Sequence, residues 1–135
     1  MELEDFYKVF PTHIECFEYL ENIIWRGKPV CPYCKTDFNT AIKGTGRHHC
    51  NKCNTSFSVT VNTIFHKTKC DLRKWFYTIH ESMNGKRLSV RELGLKLGVT
   101  KDTALKMSNK IAISKIKNPD FLNEINSSFV NPVYE

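Results

Sequence analysis

A chain of 135 residues with 41% hydrophobic and 25% charged residues fits one domain or two small modules sharing a modest core, and leaves no room for a large catalytic domain beside anything else. No apolar run reaches the roughly eighteen residues of a spanning helix. Acids also stand where a secretory signal has its basic start, so the expectation is a soluble, cytoplasmic protein with no membrane partner.

The net charge of +6 is unevenly spread: nineteen of the twenty Lys and Arg residues lie between Arg26 and Lys117, where only five acids sit. Acidic ends around a basic middle are the electrostatic outline of a polyanion-binding surface. A solvated basic face with no partner is the bland alternative.

In chain order, "PTHIECFEYLENIIW" predicts an acidic amphipathic helix within an N-terminal segment, residues 1–27. Thr12 and Glu15 form its capping box, and Phe17, Leu20 and Ile24 its inner face. Residues 28–66 predict a zinc ribbon. Cys31 and Cys34 make one C-x-x-C, Cys50 and Cys53 the other, and fifteen residues separate the pairs, the spacing at which two thiolate pairs close on one tetrahedral zinc. Pro32 stiffens the first knuckle without removing a donor that metal binding needs. "TAIK" rises, "GTG" turns and "RHH" returns as a hairpin, and "TSFSVT" alternates as a third strand.

Disulfides would compete for these cysteines only in an oxidising compartment, for which no export signal is present. Four protein thiolates leave no open coordination position, so the Zn2+ is structural and does no Lewis-acid chemistry. A zinc deaminase needs H-x-E and P-C-x-x-C, and neither occurs. His48 and His49 are expected to pack or touch phosphate rather than bind metal. Cys16 and Cys70, lacking a partner at metal spacing, read as buried apolar side chains or thiols.

From Asp71 the period becomes helical. Leu72, Trp75, Phe76, Ile79 and Met83 recur at spacings of three and four, stopped by Asn84 and Gly85. "LSVRELGLKLGVTKDTALKMSNKI" then predicts a helix-turn-helix within residues 67–117. Ser89 and Glu92 cap its first helix, Val90, Leu93 and Leu97 face inward, Gly94 permits close approach and Gly98 makes the turn. Thr100 caps a second helix with Ala104, Met107 and Ile111 inward.

The outer face of that second helix carries Thr100, Lys101, Asp102, Leu105, Lys106 and Asn109, positions that face the major groove of double-stranded DNA in this motif. Lys101 and Lys106 suit guanine edges or phosphates, Asn109 adenine and Leu105 a thymine methyl. Arg73, Lys74, Arg87 and Arg91 flank the motif as expected phosphate contacts. Residues 118–135 predict a C-terminal helix, with Asn118 as cap, Pro119 first and Phe121, Leu122 and Ile125 inward, followed by a tail. The fold class expected is α+β: a ribbon of three short antiparallel strands next to a three-helix module, with an N-terminal amphipathic helix.

"FPTHIECFEYLENIIWRGKPVCPYC", "HHCNKCNTSFSVTVNTIF" and "DLRKWFYTIHESMNGKRLSVRELGLKLGVTKDTALKM" together resemble the N-terminal half of bacterial insertion-sequence transposases that begin with a zinc ribbon and a helix-turn-helix. The resemblance covers roughly residues 6 to 113. It implies that Cys31, Cys34, Cys50 and Cys53 are zinc ligands, that residues 89–111 read DNA, and that the modules recognise terminal inverted repeats. In that family a DDE-type nuclease domain follows. Here about twenty residues follow Ile113, so the chain is expected not to be an enzyme by itself, but a DNA-binding regulator, the partner of a separate nuclease or transposase subunit, or a fragment of a longer protein, with a dimer as one assembly open to it. The competing function is a protein-interaction adaptor that docks a nuclease, polymerase or phage component.

Overall fold

The computed structural model describes residues 2–66, 68, 70–85 and 88–130. Two compact units emerge, Thr12–Lys69 and Met1–Pro11 with Cys70–Glu135.

The first unit holds helix α2 (His13–Ile24) and a sheet of β1 (Asn39–Ile42), β2 (Arg47–Cys50) and β3 (Ser56–Ser58), antiparallel in the order β1-β2-β3. The Thr12 hydroxyl accepts from the Ile14 N–H and the Glu15 carboxylate accepts from the Thr12 N–H, the predicted capping box. Cys16 and Leu20 are fully buried, but Ile24 is 38% exposed. The expected inner face therefore fails at its last member. Trp25 takes that inward place, packing edge-on to Phe57 at 5.7 Å, and the chain leaves the helix through left-handed Arg26 and Gly27.

In the sheet, Ala41 pairs with His48 and His48 with Phe57, so one face carries these three. The hairpin turn needs Gly46 twice over. Its φ is +71°, and a Cβ there would meet the Phe17 ring of α2 at 2.7 Å. The third strand stops at Ser58, sooner than the alternation of "TSFSVT" suggests, although Val59 is buried.

The second unit contains α1 (Leu3–Val9), α3 (Leu72–Met83), α4 (Val90–Leu97), α5 (Lys101–Lys117) and α6 (Pro119–Val130). Helix α3 is its centre: Leu72, Trp75, Phe76, Tyr77 and Ile79 are all buried, and α1, α5 and α6 all pack against it. From α1, the Phe6 ring meets Tyr77 edge-on at 5.7 Å, and just beyond its end Phe10 meets Phe76 at 5.4 Å. From α6, Leu122 and Ile125 are fully buried, while Phe121 is only half-buried. Burying a side chain of this size stabilises by about 2 kcal/mol. No helix among the described residues is long and apolar enough to cross a membrane.

Candidate metal centre and nucleic-acid interface

The four cysteines come together through two knuckles of the same backbone design. In the first, the Cys31 N–H donates to the Thr36 carbonyl and the Lys35 N–H to the Cys31 carbonyl; in the second, Cys50 donates to Thr55 and Asn54 to Cys50. Each knuckle turns on a left-handed residue just after its second cysteine, Lys35 at φ 62° and Asn54 at φ 58°. Asparagine tolerates that conformation better than lysine, because its short polar side chain can hydrogen-bond locally and offset the crowding of Cβ against the following carbonyl. The Asn51 N–H donates to the Phe38 carbonyl at 3.0 Å, tying the second knuckle to the strand that leaves the first.

All four Sγ atoms lie within 4.8 Å of one another. The Cys31–Cys53 and Cys34–Cys50 pairs stand at 3.7 and 3.5 Å. Zinc–sulfur bonds of about 2.3 Å in a tetrahedron place sulfurs about 3.8 Å apart, so the cluster fits zinc. The Cys53 N–H points at Cys50 Sγ at 3.4 Å, the kind of backbone contact that steadies a thiolate.

The electrostatics agree with a cation site. The Thr36 backbone N–H draws the Cys34 thiol down, but burial and the sulfurs of Cys50, Cys31 and Cys53 outweigh it and push the pKa up to about 11. The Thr55 hydroxyl, then the Cys50 sulfur, lower Cys53 to about 6. Four sulfurs this close oppose one another's ionisation, and a divalent ion is what allows all four to be thiolates together. Bound zinc would supply structure here. Cys16 is fully buried, and Cys70 is half-buried with its thiol pushed up by burial. Neither belongs to the cluster.

His48 packs rather than ligates. Its ring stacks on Phe57 at 5.6 Å, meets Trp25 edge-on at 5.5 Å, and its Nε2 lies 3.1 Å from Glu21 Oε2. Glu21 of α2 is a partner that no sequence spacing announced. His49, one residue on, is half-buried on the opposite face of the sheet.

In the helical unit the α4–α5 joint is built as its residues demand. The Ser89 hydroxyl accepts from the Glu92 N–H, and Gly98 ends α4 in the left-handed conformation at φ 68°. The Val99 N–H returns to the Gly94 carbonyl at 3.0 Å. A Cβ on Gly94 would sit 3.2 Å from the Val99 carbonyl oxygen and 3.8 Å from the Ala104 methyl. The Thr100 hydroxyl accepts from the Thr103 N–H to start α5, whose Ala104, Met107, Ile111 and Ser114 turn inward. Thr100, Lys101, Asp102, Leu105, Lys106 and Asn109 all lie on the exposed side.

The flanking cations fare differently. Arg91 is exposed, Lys74 is half-buried, and Arg87 lies outside the described residues. Arg73 is committed to the fold. It pairs with Asp71 at 2.8 Å, donates to the Phe10 and Pro11 carbonyls, and lies 4.1 Å over the Tyr7 ring. An arginine with its fork already engaged is a clamp between α1 and α3, a role that the expectation of a phosphate contact did not include.

A sequence profile described as the transposase zinc-ribbon domain, of the IS1595 type, matches residues 11–56. Over 99 residues the chain is 25% identical to an uncharacterized protein in transposable element ISH50 of Halobacterium salinarum, covering 71% of this chain and 33% of that protein. The chain thus spans about a third of the length of the curated relative it matches. No solved structure matches. Those matched residues enclose both knuckles and most of the sheet, so residues 11–56 form a zinc ribbon of the transposase type.

Proposed function

We propose that this chain is a sequence-specific, double-stranded DNA-binding protein of a mobile element, cytoplasmic and nucleoid-associated, whose α5 reads the major groove while zinc holds the ribbon. The site it recognises is a terminal repeat or an operator. One observation carries the reading: behind a close α4–α5 joint, Lys101, Asp102, Leu105, Lys106 and Asn109 stand exposed on one helix while Ala104, Met107 and Ile111 are buried. The basic middle of the chain adds the phosphate attraction. Arg91 and Lys74 remain candidate backbone contacts; Arg73 serves as the clamp that steadies α3.

The test changes Lys101 and Lys106 together to Ala. Both are exposed, so the fold should hold, while affinity for a duplex selected from a random pool should fall at least about tenfold and site preference should relax. Unaltered affinity and preference would remove α5 from the reading role.

A second reading has its own support. Ile113 and Ile116, 54% and 85% exposed near the end of α5, are apolar side chains suited to a protein contact. In an adaptor of this kind, duplex affinity would be slight and a nuclease or polymerase partner would bind instead.

A further inference from the structure

The ribbon has a second face. Helix α2 covers the side bearing His48 and Phe57. The register places Thr40 opposite His49 and Ile42 opposite Arg47 on the other side, with Ser56 opposite His49. Thr40, Ile42, Arg47 and Ser56 are exposed there, His49 is half-buried, and Ser58, opposite Arg47, is buried.

Two features give this face a direction. The sequence has no Asp or Glu from residue 38 to residue 70, so no carboxylate of the sheet or its turn opposes an anion. Arg47 is also oriented: its Nε donates to Ser56 Oγ on the neighbouring strand at 2.8 Å, while its two Nη groups have no partner among the described residues. A guanidinium fixed by its inner nitrogen and open at its fork is arranged for bidentate contact with phosphate. Lys43 stands exposed at the start of the same turn.

We propose that the open face of the ribbon, centred on Arg47 and Lys43, is a second DNA-contact surface that grips the phosphate backbone of a duplex without reading its sequence. The inference rests on the reading that this chain binds duplex DNA. It adds an anchor separate from α5, so that affinity and sequence choice come from different parts of the chain. Charge complementarity selects this occupant. A second copy of so basic a face would repel the first.

The test is made on the zinc-loaded full chain, with fluorescein-labelled duplex DNA of mixed sequence and a salt titration. Lys43→Ala with Arg47→Ala should flatten the slope of log affinity against log salt by about two, since each neutralised phosphate contributes about 0.9. Binding should weaken alike on selected and unselected duplexes, with zinc content unchanged. Ser56→Ala, which keeps both charges but releases Arg47, should weaken binding about threefold with the slope preserved. If the double variant kept wild-type affinity and slope while Lys101→Ala/Lys106→Ala lost binding, this inference alone would fall. If the reverse held, the ribbon would stand as an anchor and α5 would lose its role. A wild-type chain with no duplex affinity would overturn both.

Discussion

Gly98 shows how much a single φ angle decides. At +68° it ends α4, and nothing within 4 Å would obstruct a side chain, so the requirement is conformational alone. Gly98→Ala should therefore cost about 1 to 2 kcal/mol, read as a lowered urea midpoint in the helical signal; an unchanged midpoint would mean the turn accommodates a Cβ freely. Gly98 was legible because glycine followed the last periodic leucine of a capped helix. Lys35 was not: lysine gives no hint of a left-handed position, and only the matching of its knuckle to that of Asn54 exposes it. The partners of Arg73 were hidden for a related reason. Charge and position suggested a phosphate contact, whereas its partners Asp71, Tyr7 and Pro11 are assembled by the fold, two of them from the far end of the sequence.

The elements differed in legibility according to how many turns or alternations they had in which to declare themselves. Helices α4 and α5 carried caps, a turn and an inward stripe. The seven-residue α1 offered one inward position, Phe6, with Phe10 just past its end, and a Glu2–Asp5 box that becomes visible only with its hydrogen bonds in place. The hairpin turn was read from its glycines, but not its seat against α2. That contact yields a prediction with two separable parts. Gly46→Ala should lower the melting temperature both through its positive φ and through collision with the Phe17 ring. Adding Phe17→Ala should restore the steric part and leave the conformational part, about 1 kcal/mol. Strictly additive losses in the double variant would mean that residue 46 and the ring do not meet.

At the scale of the whole molecule, the two compact units depend on different physics. The helical one has a core of its own, from Phe6 through Tyr77 to Ile125, whereas the cluster around the ribbon's metal site comprises, among the described residues, Cys31, Cys50 and Phe57 with Trp25 and Cys34 against it, beside the buried Cys16, Leu20, Val59 and Phe65 of the same unit. A core so small needs its metal, because structural zinc supplies on the order of 10 kcal/mol that is also folding energy. Chelation should abolish the near-ultraviolet signal of Trp25 and its neighbours while much of the helical signal survives; an unchanged spectrum in the chelated sample would contradict a structural zinc. Selection from a random duplex pool with the zinc-loaded chain tests the central claim most directly. Wild-type protein should enrich one motif, and Lys101→Ala/Lys106→Ala should lose that enrichment while retaining zinc and fold. A pool left unenriched by the wild-type chain, or the same motif recovered by both, would contradict the account.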